Sequence, residues 1–296
     1  MNPRERGFLL LTCGFGDPQR RPLSMAQLRL LSQRAAAAER TVEDRDLCEE
    51  DLIAMGYGME TARRIVRLLG DEDLLEHTLR RGEKLGCRPV SRVNPAYPVI
   101  LRRRLGLDSP GCLWVKGDPA ILSRPAVSLV GSREPNPDNA CFAREVGRQA
   151  AQQGIVLVSG NARGVDRIGQ EACLDAGGQV ISIVADALCD HPARDRVLYV
   201  SEGAFDSPFS SQRALSRNRC IHAMGRLSFV AQCSYGKGGT WNGTLQNLRH
   251  GWSPVICFRD GSSAMEELEQ LGAYQVNQDE IADFAALQSM EISFLE

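Results

Sequence analysis

The chain has 296 residues, 43% hydrophobic and 24% charged, which is the composition of a soluble globular protein with room for two ordinary domains. Its net charge of -2 conceals an uneven spread: residues 1–110 carry 19 Lys+Arg against 16 Asp+Glu, residues 111–258 carry 15 against 12, and residues 259–296 carry 1 against 9. The mildly basic body permits a nucleic-acid partner without requiring one, and the short apolar run "FLLL" at the amino terminus excludes a signal peptide or membrane span, so a cytoplasmic location with no membrane partner is expected.

From about residue 8 to 88 the spacing is helical. "MAQLRLLSQRAAAAER", "CEEDLIAM" and "METARRIVRLL" repeat apolar residues three and four apart, which predicts a small all-helical domain over 1–90. Within it, "LIAMGYGMETARRIVRLL" sets Gly56-Tyr57-Gly58 between two helices and resembles a helix-hairpin-helix element, whose glycines let backbone N–H groups approach a DNA phosphate. An ordinary αα-hairpin packed for stability gives the same pattern. Residues 91–124, rich in Pro, Gly and Arg, read as an ordered connector anchored by Tyr97, Leu101, Leu113 and Trp114, with Arg102, Arg103 and Arg104 either reaching DNA or, as expected, on a solvated helix face.

The period changes in 125–296. "AVSLVG", "GIVLVSG", "QVISIVAD", "LYVSEG", "LSFVAQC" and "PVICF" are short β-branched runs, and most alternate with helical segments. That alternation predicts an α/β fold, a Rossmann-like doubly wound and mainly parallel sheet, with ligands at the carboxyl ends of the strands.

Three post-strand loops carry the expected chemistry. In "LVGSREPNPD", Gly131 turns the chain, Ser132 offers a hydroxyl, Arg133 a guanidinium, and Asn136-Pro137 starts a helix. In "VLVSGNARGVD", Ser159-Gly160 ends a strand and Arg163, Gly164 and Asp166 lead into a helix. In "QCSYGKGGTWNGT", Lys237 sits among Gly236, Gly238 and Gly239, with Thr240 placed to cap the next helix. Each loop offers backbone N–H groups at a positive helix end, suited to phosphate. None matches the dinucleotide or ATP fingerprints, so no cofactor is expected. Upstream of the third loop, "LSRNRCIHAMG" projects Arg217, Asn218 and Arg219 from a helix, one arginine toward the site.

Other residues read plainly. The ten cysteines form no Cys-x-x-Cys pair and many sit in apolar settings, as buried reduced thiols do, which speaks against a disulfide framework or a zinc site. Only Lys84, Lys116 and Lys237 are lysines, so nearly every positive charge is a guanidinium, by genome composition or for phosphate contact. His77, His191, His222 and His250 show neither metal spacing nor a nucleophile partner, and no catalytic constellation is complete.

The order "VGSR", "SGNARGVD", "VSEG", "RNRCI", "GKGGT" resembles the DNA-processing protein (DprA/Smf) family over roughly residues 8 to 287, including the entry "NPAYPVILRRRLGLDSPGCLWVKGD" and the closing "EELEQLGAYQVNQDEIADF". The resemblance implies a single-stranded DNA binding protein rather than an enzyme, forming homodimers and handing strands to a RecA-type recombinase in recombination or transformation. It implies that Gly131, Ser132 and Arg133 form one phosphate cradle and Ser159, Gly160, Arg163 and Gly164 a second. Asp166 would orient that second loop, and Arg217, Asn218, Arg219, Lys237, Gly238, Gly239 and Thr240 would complete the pocket. The chain departs from the family at Ile168-Gly169-Gln170, after "QVISIVAD", between His191 and Tyr199, and at "SYGKGGT"; no winged-helix tail is expected. Two other readings stand beside this one: a nucleotide-sensing regulator, as in phage defence, and a nucleotide phosphoribohydrolase. The latter expects a glutamate three residues past Thr240, where this chain has Gly243.

Overall fold

A computed structural model describes residues 1–38 and 46–293. The amino-terminal part is helical: α1 (Pro3–Thr12), α2 (Met25–Ala37), α3 (Glu49–Ala54), α4 (Met59–Gly70) and α5 (Glu72–Lys84). Local chemistry sets the starts of the first two. Asn2 and Glu5 cap each other's backbone at α1, and Ser24 with Gln27 does the same at α2. Leu52, Ala62, Ile65 and Leu68 meet Leu11, Leu23 and Leu31 in a small core of their own. The α3–α4 hairpin turns at Gly56, where φ is +85°. Arg34 closes that turn, its Nη1 donating to Gly56 O at 2.9 Å while its guanidinium lies 4.4 Å from the Tyr57 ring centre.

The rest builds around one nine-stranded sheet. In chain order come β1 (Cys87–Ser91), α6 (Val99–Leu105), β2 (Cys112–Lys116), β3 (Ala126–Val130), α7 (Pro137–Gln152), β4 (Val156–Ser159), α8 (Val165–Asp175), β5 (Val180–Ile183) and β6 (Val197–Ser201). They are followed by α9 (Ser211–Met224), β7 (Ser228–Val230), α10 (Gly238–His250), β8 (Val255–Phe258), α11 (Ser263–Gln270), β9 (Tyr274–Val276) and α12 (Phe284–Ser293). The spatial order is β1-β2-β6-β5-β4-β3-β7-β8-β9. All neighbours from β6 to β9 run parallel, while β1–β2 and β2–β6 are antiparallel. The fold is therefore the Rossmann-like, doubly wound, mainly parallel sheet expected, preceded by helices. Every residue of β3 and of β6 is buried, as a strand covered on both faces requires.

Two apolar layers cover the sheet. One gathers Leu129, Phe142, Val146, Leu157, Phe229 and Phe284 and continues into Leu9, Leu10 and Leu75 of α1 and α5. The other holds Leu101, Val158, Ile181, Ile221, Val230, Trp241 and Met265. Segment 91–124, read as a connector, contributes β2 to the sheet, and "CRPVS" before it forms β1. Its Pro89 is tolerated because β1 is an edge strand. No described helix is long and apolar enough to cross a membrane.

A buried histidine links this packing to pH. His222 on α9 is fully buried, its Nδ1 3.1 Å from Ser228 Oγ and 3.3 Å from Asn247 Nδ2, and burial pushes its pKa down to about 4. The folded chain thus binds fewer protons than the unfolded one between that value and the ordinary 6.5. The stability that His222 contributes is complete above pH 6.5 and declines as pH falls toward 4, by about 3 kcal/mol over that window. Chemical denaturation at pH 7, 6, 5 and 4 should show this decline, and His222→Gln should flatten it.

Candidate nucleic-acid interface

The strand order reverses at β3, whose carboxyl end lies beside that of β7, so the loops following these strands open a crevice. A cavity of about 450 Å³ lies there, lined by Gly131, Ser132 and Arg133 after β3, by Lys237, Gly238, Gly239 and Thr240 after β7, and by Asp166, Arg217 and Asn218. A smaller one, about 310 Å³, adjoins it across Arg133, Ala162, Phe209 and Arg217 and is also lined by Gly160, Arg163 and Asp186.

Close packing fixes the loops against one another. Gly131 cannot be larger because a Cβ there would fall 2.5 Å from Val165 Cγ2. Gly164 adopts φ +85°, and a Cβ on it would fall 2.4 Å from Ser132 O. Val165 N donates to Ser132 O at 3.0 Å. Thr240, expected as a cap, lies inside the first turn of α10, and its hydroxyl donates to Gly131 O at 3.0 Å, joining the first loop to the third. Asn218 Nδ2 donates to Gly239 O at 3.0 Å.

The charges divide into held and free. Arg217 is buried, 3.8 Å from the Asp166 carboxylate, with Nη1 donating to Ile183 O at 3.3 Å and Nε left without a partner. Burial lowers the Arg217 pKa, Asp166 opposes that, and Arg133 adds to it; burial likewise raises Asp166, against the pull of Arg217. Arg133 and Lys237 are exposed at the cavity and carry no ion pair among the described residues. The larger cavity thus has three cations, Arg133, Arg217 and Lys237, against one carboxylate, Asp166. Phe209, 56% exposed, stands at the edge of both cavities and Tyr235, 57% exposed, lies in the third loop, so aromatic faces are available beside the charges.

The second loop differs from the cradle expected of it. Asp166 Oδ2 accepts from Ala162 N at 3.2 Å, so one backbone N–H of that loop is held by the chain's own carboxylate. Arg163 is drawn outward to Glu134. Ser159 is fully buried beneath the loop. Gly160 serves another purpose: its missing Cβ makes room for Arg217, whose Nη1 would lie 1.1 Å from such an atom. Arg219 lines neither cavity and pairs with Glu202 at 3.3 Å, because two helical residues apart is about 200° of rotation, which sends Arg217 and Arg219 to opposite sides of α9.

The departures at Ile168-Gly169-Gln170 have a packing explanation. Gly169 lies where a Cβ would come 2.2 Å from Leu129 Cδ2, and Gly147 of α7 lies where one would come 2.1 Å from Gly169 O, so α7, α8 and β3 meet through bare glycines. Gln170 is buried and donates to Ser182 Oγ at 3.4 Å. At Gly243 a Cβ would lie 3.2 Å from Asn218 Cβ, a tight contact at the position where the phosphoribohydrolase reading needs its glutamate.

A family model described as DNA recombination-mediator protein A matches residues 88–285. DNA processing protein DprA of Bacillus subtilis is 28% identical over 164 residues, covering 51% of this chain and 54% of that protein. DprA of Streptococcus pneumoniae is 28% identical over 193 residues, 60% of this chain and 68% of that protein. The chain thus spans about half the length of the B. subtilis relative. Among solved structures, the S. pneumoniae DprA superposes with a TM-score of 0.68 at 22% identity, covering 87% of this chain and 91% of that one. DNA processing protein A of Helicobacter pylori, described by its single-stranded DNA binding mode, gives a TM-score of 0.55 at 23% identity over 70% of this chain and 96% of that one.

Proposed function

Because the chain belongs to the DNA recombination-mediator protein A family, we propose that it binds single-stranded DNA in the crevice between β3 and β7, as a binding protein rather than a catalyst. The observation that carries this reading is the excess of cations in the 450 Å³ cavity, two of them unpaired, at the switch point of the sheet. In this reading Arg133 and Lys237 take backbone phosphates, the Arg217 guanidinium in the cavity wall adds its positive charge, and Phe209 and Tyr235 stack on bases. The phosphate contacts come from the first and third loops, with Ser132, Gly131, Gly238 and Gly239 supplying the close backbone approach. Ser159, Gly160, Gly164, Asp166, Asn218 and Thr240 hold the loops in place. A homodimer and strand transfer to a RecA-type recombinase belong to the same reading and rest on the family alone.

A cavity of this volume also suits one free nucleotide, the regulator reading. Competition separates the two. A labelled strand of about 30 nucleotides bound to the protein should be displaced by unlabelled strand far more effectively than by matched duplex or by millimolar mononucleotides. Equal displacement by a mononucleotide at strand concentrations favours the regulator.

A further inference from the structure

A second basic groove lies outside this crevice. It encloses about 650 Å³ between α1, α2 and the segments flanking α6, with Arg4, Arg29, Arg92 and Arg102 in its wall, Phe8 and Leu28 among its apolar residues, and no carboxylate lining it. Arg92 Nη1 donates to Gly106 O at 2.9 Å. Arg4, Arg29 and Arg102 are exposed and make no ion pair or side-chain hydrogen bond among the described residues. Burial depresses the Arg92 pKa, Tyr97 opposes that, and the neighbouring Arg102 adds a smaller depression. Four positive groups therefore share one concavity uncompensated, a charge pattern complementary to a polyanion.

The sheet aligns this groove with the first site. β1 is antiparallel to β2 and β2 to β6, so β1 points the same way as the parallel strands. Arg92 follows Ser91 at the end of β1, which puts it on the same carboxyl edge as Gly131 after β3. Five strand spacings separate β1 from β3, about 24 Å at 4.8 Å each. Between them, the Glu202 carboxylate at the end of β6 is held by Arg219 at 3.3 Å.

We propose that this groove is a second phosphate subsite for the same DNA strand, which runs along the carboxyl edge of the sheet from the β3–β7 crevice to α1 and α2. The inference rests on the strand-binding reading above. An acidic protein segment would satisfy the charges equally, but continuity along one edge of the sheet favours the strand.

The test compares strand lengths. Even extended to about twice the 3.4 Å duplex rise, the three steps of a tetranucleotide span about 20 Å, too little to join the two sites. The variant is Arg4→Ala with Arg29→Ala. The control is Arg226→Ala with Arg249→Ala, the same charge change at exposed positions just before β7 and at the end of α10. Fluorescence anisotropy with oligothymidylate of about 30 nucleotides should show the groove variant roughly tenfold weaker, with a salt slope shallower by about 1.4. Its tetranucleotide affinity, and both affinities of the control, should match the parent. Long-strand affinity equal to the control overturns the proposal, as does an equal loss on the tetranucleotide, which would report a disturbed crevice. Loss of poly-glutamate binding with strand binding intact would also overturn it, in favour of an acidic partner. A parent chain that binds neither strand sinks the crevice reading itself, and this one with it.

Discussion

Replacing Arg133 and Lys237 together by alanine is expected to weaken single-stranded DNA binding by about 100-fold and to make its salt slope shallower by about 1.4. Both side chains are exposed at the mouth of the same cavity and neither has an ion pair among the described residues, so neither holds the fold together. Each phosphate contact they make is charge-assisted, worth about tenfold in affinity. The loss should be the same for every base sequence, because phosphates are alike beneath all of them. Titrations of homopolymeric and mixed strands check this, with circular dichroism confirming an unchanged fold. A loss confined to one sequence would assign these residues to base reading.

Gly160→Ala is expected to lose as much affinity as Arg217→Ala, and the double variant no more than either. A Cβ at Gly160 would lie 1.1 Å from Arg217 Nη1 and 2.2 Å from its Cζ, so the guanidinium must leave its place. Its departure leaves Asp166 buried without its cation at 3.8 Å, a cost of about 3 kcal/mol that either single variant incurs. Once Arg217 is truncated, the space at Gly160 is empty and the added methyl meets nothing from it. A double-mutant cycle on both strand affinity and denaturation midpoint should therefore return strong non-additivity. Additive losses would show that Gly160 acts through the loop backbone and not through Arg217.

Much of this architecture was legible in the residues. Short β-branched runs such as "AVSLV" and "VISI" had to be strands buried on both faces, and the intervening amphipathic segments had to be their covering helices. The three glycine-bearing loops could be placed at the carboxyl edge because each directly follows such a run. The edge strand β1 and its neighbour β2 were hidden, since "CRPVS" carries Pro and Arg where a central strand would carry Val or Ile, and its partner arrives 20 residues later in a Pro-rich segment. Within the site, spacing alone could not separate Arg217 from Arg219; only the rotation of α9 against the sheet turns one inward and the other to Glu202. Nor could it foresee that Asp166 would accept a hydrogen bond from Ala162 N in the second loop. The arginine groove was invisible for a different reason: Arg4, Arg29, Arg92 and Arg102 come from distant segments and meet only through the packing of α1 and α2 against the sheet edge.

The measurement that bears most directly on the crevice is the equilibrium affinity of the purified protein for a labelled strand of about 30 nucleotides, followed across a salt series beside its matched duplex. Three cations on phosphates predict a logarithmic salt slope of about -2 or steeper for the single strand, and tighter binding of the strand than of the duplex at every salt concentration. A slope near zero, or a duplex bound as tightly as the strand throughout, would contradict the assignment of this crevice to single-stranded DNA.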